Sequence, residues 1–476
     1  MLVRPAAAAR HDGVPPAALN PAAALDVAGP VVASLTAPRQ AAGSGAPVGA
    51  AAFAARLDPL GPFEPTPLLA VAVSGGADSL ALALLARAWA AAREGAVLGL
   101  IVDHGLRPEA AAEAAEAQAR LARIGVPSRV LRLAGLTRGP GLAERARLAR
   151  YAALEAACAE AGIVHLLLGH HAGDQAETVI LRALRGSGAT GLAGMAALAE
   201  TARLRWLRPL LDIPPTRLRT TVHMAGLGWA EDPSNADPAA TRARLRALRA
   251  DRAGTGPATR ALSAAAAEAG TARATTEAAC AALLAARAAL RPEGFALLDP
   301  APLPAEALGA LIQAVAGTAH PPRSQGLATL AAAPRPATLG GARLLPAGRL
   351  GPGRLLIVRE AARLAPPVPA ELGAVWDGRF RLARVPPQDA DPRIASGVTM
   401  GALGDALGAA RATASRRRSA LPAVVLRTLP ALYRGETLLA VPHLGYHLPG
   451  SEGFLVLFAP ARPVSGAPFV PAATPC

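Results

Sequence analysis

The stretch "VAVSGGADSLALALL", Val71 to Leu85, decides the fold: an apolar run halts at two glycines and resumes with helical spacing. Its lead-in, "LLAVAV" (68–73), is continuously apolar, as strands buried on both faces of a parallel sheet are. Ser74, Gly75 and Gly76 end that strand, and Ala77, Asp78 and Ser79 open the helix after it. Glycine tolerates positive φ and lets a ligand approach the backbone. A helix start offers unpaired N–H groups and the positive end of the dipole, which suits an anion. Two readings stand here: a cradle for phosphates, or a turn in which Asp78 or Ser79 only caps the helix.

Outward from this stretch the pattern repeats. The spacing predicts strands over 97–103, 128–133 and 163–169, and helices over 78–94, 109–124, 142–161 and 174–185. Strand followed by helix four times predicts an α/β domain with a doubly wound, mostly parallel sheet. Ligands of such sheets sit at the carboxyl ends of the strands. The expected organisation is a disordered Ala/Pro-rich tail over 1–52, the α/β domain over 53–250, a helical linker segment over 251–340, and a small α+β domain over 341–476. No internal repeat of fixed period is visible.

The chain has 476 residues and a formal charge of +15, all of its basic side arginine because no lysine occurs. Its hydrophobic content is 52% and its aromatic content only 3%, so the cores must be built from Leu, Val and Ala. The positive excess favours a polyanion such as nucleic acid. Without lysine, a Walker A loop and a Schiff-base lysine are both excluded. Three cysteines and no C-x-x-C give no support to a zinc ribbon or a dithiol redox motif. No apolar run is long enough to span a membrane and the N-terminus lacks a signal-peptide core, so a cytoplasmic protein is expected.

Four polar clusters fall at predicted strand ends. Besides "SGGADS", the richest is "GHHAGDQAETVILRALRGSGATGLAGM" (169–195). His170, His171, Asp174 and Glu177 lie within eight positions, and Asp174 and Glu177 share a helix face. Acids beside a triphosphate suit Mg²⁺, a hard ion that takes oxygen ligands. Capping by Asp174 with a satisfied histidine pair is the plainer alternative. Within the same stretch "GSGATG" matches G-x-G-x-x-G, but a helix and not a strand precedes it, so it predicts a flexible basic loop, with Arg182 and Arg185 near phosphates. "VDHGLRPE" (102–109) places Asp103, His104 and Arg107 at the second strand end. "RPLLDIPPTRLR" (208–219) and "WAEDPSNADPAATRARLR" (229–246) contribute Arg208, Asp232, Ser234 and Asn235, with arginines at 242, 244 and 246.

Taken together, "SGGADS", "VDHGLRPE", "GHHAGDQAET", "RGSGATGLAGM", "RPLL" and "EDPSN" resemble the tRNA(Ile)-lysidine synthetases of the PP-loop ATP pyrophosphatase superfamily, in order and spacing. The resemblance covers roughly 60–250; "WDGRFRL" and "LPALYRGETLLAVPHLGY" are similar to the C-terminal part of bacterial members. It implies ATP and Mg²⁺, and as partners L-lysine and a tRNA(Ile) with a CAU anticodon, with a homodimer as one assembly to test. ATP would activate C2 of the wobble cytidine as an adenylate, and lysine would displace AMP. It further implies that Ser74, Gly75, Gly76, Ala77, Asp78, Ser79, Asp103 and His104 bind ATP. Asp78 and Asp174 would be metal-binding or catalytic acids, and His170 would stabilise developing charge. Arg107, Glu177, Arg185, Gly186, Ser187, Gly188, Arg208, Asp232 and Asn235 would contact lysine or tRNA.

One position departs from the family pattern: its usual "HHADDQAET" is here "HHAGDQAET", with Gly173 in the first acid position. A tRNA thiolation enzyme, an ammonia-dependent amide synthetase of the same loop class and a catalytically impaired tRNA-binding homologue are the alternatives. The first would be expected to carry paired cysteines, and the second would not need the basic surface.

Overall fold

The computed structural model describes residues 45–106, 109–137, 139–231, 241–251, 253–322, 324–385, 397–404 and 420–473. The chain divides into two compact units: the residues up to Thr275 together with the stretch from Phe469, and Thr276–Pro468.

The first unit is built on six strands: β1 (Leu68–Val73), β2 (Ala96–Asp103), β3 (Ser128–Arg132), β4 (His165–Leu168), β5 (Leu198–Glu200) and β6 (Arg205–Leu207). Their order is β3-β2-β1-β4-β6-β5; all neighbours are parallel except the edge pair β5–β6. The chain winds outward from β1 to β2 and β3, then returns to place β4 on β1's other side. β1 and β4 therefore flank the switch point at which a doubly wound sheet opens a crevice.

The helices α1 (Ala50–Leu57), α2 (Ala77–Ala91), α3 (Ala110–Arg123), α4 (Leu142–Glu160), α5 (Ala172–Leu184), α6 (Ala189–Leu192), α7 (Pro215–Met224) and α8 (Thr241–Arg249) cover both faces of the sheet or rim its carboxyl end. Alternation along β1 sorts its side chains. Leu69, Val71 and Val73 join α2, α3 and α7 in one core, and Ala70 and Ala72 join Leu154, Ala157 and Cys158 of α4 in the other. The alanine content explains the tight layering: α2 buries Leu80 through Ala86 without a gap, so it is apolar all round and sandwiched. Truncating a core leucine such as Leu82 costs about 2–5 kcal/mol at such sites.

Two expected boundaries need correction. Val48 is buried and its N–H donates to Thr221 Oγ1 at 2.9 Å, and α1 starts at Ala50, so the folded unit begins before residue 53. After α9 (Pro257–Arg287), the second unit holds β7 (Ala288–Leu290), β8 (Ala296–Leu298), α10 (Ala305–Ala316), α11 (Gln325–Ala332), β9 (Ala337–Leu339), β10 (Ala342–Pro346) and β11 (Leu355–Arg359). These strands form one antiparallel sheet in the order β7-β8-β11-β10-β9. A division at 340/341 cuts the two-glycine turn between β9 and β10. Gly-rich turns punctuate sequence the same way whether they separate domains or two strands of one hairpin.

The same unit continues through β12 (Val368–Pro369), β13 (Val375–Trp376), β14 (Phe380–Arg384), β15 (Val398–Ala402), α12 (Ala423–Leu426), β16 (Pro430–Arg434), β17 (Thr437–Val441), β18 (Tyr446–His447) and β19 (Leu455–Phe458). These strands make two further antiparallel sheets, ordered β12-β15-β16-β17-β18 and β13-β14-β19.

Candidate active site

The turn after β1 is held by its own serines. Ser79 Oγ accepts from the Ser74 N–H at 3.1 Å, lies 3.2 Å from Ser74 Oγ and donates to the Gly76 carbonyl at 3.0 Å. Gly75 adopts φ +81°, which a side chain would resist, and its carbonyl accepts from the Ala230 N–H at 3.0 Å. Gly76 is the N-cap of α2, and no side chain caps that helix. The capping-only reading therefore fails, because Ser79 is spent on the loop and Asp78 is not a cap. What remains is a helix start turned toward the crevice between β1 and β4.

The loop after β4 packs directly against it. Ala72 pairs with Leu168, and a Cβ on Gly169 would lie 3.2 Å from the backbone of Asp78 and Ser79. Glycine at 169 is what lets the two loops close together. Next along the chain, His171 is the N-cap of α5. Its Nδ1 accepts from the Gly173 N–H at 3.0 Å, while its own N–H donates to Asp174 Oδ2 at 3.1 Å. With Nδ1 an acceptor, Nε2 faces two acids, 3.7 Å from Asp78 Oδ2 and 3.6 Å from Asp174 Oδ2.

The two carboxylates differ. Burial pushes the Asp78 carboxyl upward, against the pull of His171, and Asp174 adds to the rise. Its Oδ1 is buried without a hydrogen-bond partner. Asp174 is also buried, which alone would raise it, yet His171, His170, the His171 N–H and Arg246 together hold it below the usual carboxylate range. Its Oδ1 accepts from Arg246 Nη2 at 3.3 Å, and the same guanidinium grips buried Glu177 through Nε at 2.7 Å.

Of the sequence-predicted residues, the structure brings together Ser74 through Ser79, His170, Asp174 and Glu177. Asp103, at the end of β2, is buried and accepts from the Gly105 N–H at 2.8 Å, which ties it to its own turn, beside His104. Arg185, Gly186 and Ser187 form an exposed turn after α5, and Gly188 caps α6. Arg182 is not available to phosphates: its Nη1 donates to the Gly191 carbonyl at 2.9 Å and to that of Gly194, stapling the loop. Arg107, Asp232, Ser234 and Asn235 lie outside the described residues.

The two histidines of the pair sit differently. His171 faces the acids, whereas His170 is buried beside Arg208, Arg150 and Arg242 and pushed down to about 4, chiefly by burial, so it is neutral. Sequence reasoning named Arg246 but not its grip on Asp174 and Glu177, and it missed Arg249, whose Nη1 donates to the Gly173 carbonyl at 3.1 Å. A run of arginines on a short helix reads as a solvated face, and nothing local says that two of them turn inward.

The orphaned Asp78 Oδ1 fits a Mg²⁺ ligand, since that ion is held by one or two carboxylates plus substrate phosphates. Asp174, with both oxygens engaged, fits less well. Among the described residues no group of three or more His, Cys, Asp or Glu is arranged to hold a metal by itself.

Residues 51–250 match the model of the PP-loop domain. Over 189 residues the chain is 45% identical to the tRNA(Ile)-lysidine synthase of Bradyrhizobium sp. (strain BTAi1), covering 39% of this chain and 53% of that protein. The same enzyme of Rhodopseudomonas palustris is 45% identical over 188 residues, 39% of this chain and 54% of that protein. The chain thus spans about half the length of the curated relatives it matches. Among solved structures, a tRNA thiolase from Methanococcus maripaludis aligns with a TM-score of 0.36 at 18% identity, over 44% of this chain and 75% of that one. The uncapped loop and the paired acids at the switch point thus lie in a segment that matches a PP-loop domain and is similar to the tRNA(Ile)-lysidine synthases.

Proposed function

We propose that the protein is a tRNA(Ile)-lysidine synthase, a ligase that joins L-lysine to C2 of the wobble cytidine of a CAU anticodon at the expense of ATP, forming AMP and pyrophosphate. The observation that carries this is Asp78: a carboxylate with an unpartnered buried oxygen, one residue inside an uncapped helix start, in a segment 45% identical to such synthases.

In the first step the cytidine O2 attacks the α-phosphorus of ATP, a P–O bond breaks and pyrophosphate leaves. The open N–H groups of α2 and the loop backbone hold the phosphates, doing here what a lysine does in Walker loops. Asp78 would hold Mg²⁺, which supplies charge neutralisation on the phosphates when bound. Asp174 fixes His171 through the capping box, and Arg246 fixes Asp174, so the imidazole edge is presented to the crevice as a positioned donor. In the second step a lysine amine attacks C2, the C2–O bond to AMP breaks, and the amine proton passes to a base. An acid near the lysine amine would receive it. The remaining rate would come from positioning.

The thiolation alternative finds no support in the described cysteines. Cys158 is buried, its thiol pushed up to about 12 by desolvation, and Cys280 lies in the other unit. Purified protein incubated with ATP, Mg²⁺, L-lysine and a tRNA(Ile) bearing CAU should release pyrophosphate and yield lysidine at the wobble position. No lysidine in the digested tRNA would sink the assignment.

A further inference from the structure

α8 buries none of its side chains and turns Leu248 to solvent, so the bonds that tie it to α5 are those of two arginines. Arg246 bonds the acids, Asp174 and Glu177. Arg249, on the next turn, bonds no carboxylate among the described residues. Its Nη1 donates to the Gly173 carbonyl at 3.1 Å, and its Nε is buried without a partner. A cation set against the first turn of a helix opposes the helix dipole. A charge held there with one donor orphaned, for the sake of one carbonyl, is poorly explained by stability alone.

The residue that this bond fixes is a glycine. Gly173 lies in the first turn of α5, where the missing side chain leaves the backbone about 1 kcal/mol freer than an alanine would. Its N–H donates to His171 Nδ1 at 3.0 Å. A neutral imidazole whose Nδ1 accepts a hydrogen bond carries its proton on Nε2. That Nε2 stands 3.7 Å from Asp78 Oδ2 and 3.6 Å from Asp174 Oδ2. One run of contacts therefore leads from the Arg249 guanidinium, through the backbone of residue 173, to the ring edge in the crevice. A Cβ at 173 would lie 3.3 Å from Arg249 Nη2, so glycine is what leaves the guanidinium room.

We propose that Arg249 is a positioning residue for His171: by holding the backbone of Gly173 it keeps Nδ1 an acceptor and Nε2 turned to Asp78 and Asp174. Arg249 itself touches no reacting atom; it acts through the ring. The proposal rests on the reaction assigned above for its rate readout alone, because the state of the ring can be read without substrate.

The first measurement is a nitrogen NMR spectrum of the full chain with labelled histidine, at about pH 8, above the ordinary imidazole range. His171→Gln identifies the signals of this ring. In the wild type they should show a single tautomer, bare at Nδ1 and protonated at Nε2. Arg249→Leu should turn that into a mixture, and Arg249→Lys, which keeps a charged donor, should restore it. Arg249→Ala takes the place of the leucine variant if that one does not fold. The second measurement is pyrophosphate release with ATP and tRNA. In Arg249→Leu kcat should fall about 10- to 100-fold, the scale of a misplacement by an ångström, with the KM for ATP unmoved. Arg249→Lys should recover most of the loss. In a His171→Gln background the same substitution should cost nothing further, since the two residues act as one unit.

A loss that persists in full in the His171→Gln background overturns the proposal, and so does a single tautomer that survives Arg249→Leu. A raised KM for ATP with kcat and tautomer unmoved makes Arg249 a direct phosphate contact and overturns it too. A wild type with the opposite tautomer overturns it without any variant. A wild type that releases no pyrophosphate, yet loses its single tautomer in Arg249→Leu, overturns the assigned reaction and leaves the positioning standing.

Discussion

Two buried clusters of arginine and aspartate, one in each unit, show what separates a scaffold from a site. In the second unit Asp377 lies between Arg359 and Arg379, all three buried. Its oxygens accept from Arg359 Nε and Nη2 at 2.9 Å each, from Arg379 Nε at 2.8 Å and from the Ala365 N–H at 3.0 Å. The remaining guanidinium groups reach the carbonyls of Gly341, Arg363, Gly294 and Thr428. Among the described residues none of the three keeps an orphaned buried polar atom. At the carboxyl end of the parallel sheet the same residue types leave Asp78 Oδ1, His170 Nδ1, Arg208 Nε and Arg249 Nε buried and unpartnered. A satisfied network stabilises a fold, and an unsatisfied one waits for a ligand.

The sharpest way to break that contrast is to remove one acid from each. Asp78→Asn and Asp174→Ala should each lower adenylation by about 10²–10³-fold or more. Asp78→Asn should leave the melting temperature near that of the wild type, since its Oδ1 holds nothing. Asp174→Ala should cost about 1 kcal/mol through the lost cap. Asp377→Ala should do the reverse, costing about 3–5 kcal/mol because two buried guanidinium groups lose their counter-charge. Its turnover per folded molecule should not move. Denaturant unfolding and pyrophosphate release measured on the same preparations check all three, and a catalytic loss in Asp377→Ala at full folding would erase the distinction.

Gly173 sharpens it further. A Cβ there would lie 2.8 Å from His171 Cε1 and 3.3 Å from Arg249 Nη2. The missing acid is therefore not an empty place, since the His171 ring and a guanidinium occupy it. Gly173→Asp should lower turnover, by up to about 10²-fold if the imidazole is displaced by an ångström. Gly173→Ala, carrying the same Cβ without charge, should lose most of that. A gain in rate by Gly173→Asp would show instead that a carboxylate is wanted and that Arg249 yields to it.

The fold was legible because each of its signals is local. Apolar runs of strand length, a glycine pair at the first strand end and helices of the right spacing place β1 through β4 and α2 through α5 within a few residues. The failed Rossmann match at 186–191 was also legible, from the helix before it. The histidine choice was less so: on extended backbone, successive side chains point opposite ways, and the spacing does not say which of His170 and His171 faces the crevice. The capping box linking His171 to Asp174 three residues on was the available clue. The inward turns of Arg246, Arg249 and Arg182 were not readable, because they depend on contacts with residues far along the chain or with loop carbonyls. The contact of Tyr151 with Arg208 likewise joins α4 to the segment after β6, which only the folded sheet brings together.

The smallest expected effect is on stability against pH. His170 takes a proton near pH 6.5 in the unfolded chain and at about 4 in the folded one, chiefly because burial disfavours its charge. Between those values the unfolded state binds the extra proton, so stability falls as the pH falls, by at most about 1.4 kcal/mol per pH unit from this group. His165 and His443 are also lowered by burial, so their slopes must be subtracted. Comparing the wild type with His170→Gln does so, since both chains keep the other two. The stability difference between the two chains should shift against the wild type as the pH drops from 6.5 to 4 and be flat above 7. Arg379, lowered to about 10 by desolvation, stays protonated through this range and adds no slope of its own. A difference that is flat from 4 to 7 would mean that Asp174 offsets the burial of His170 and returns its pKa to the unfolded value.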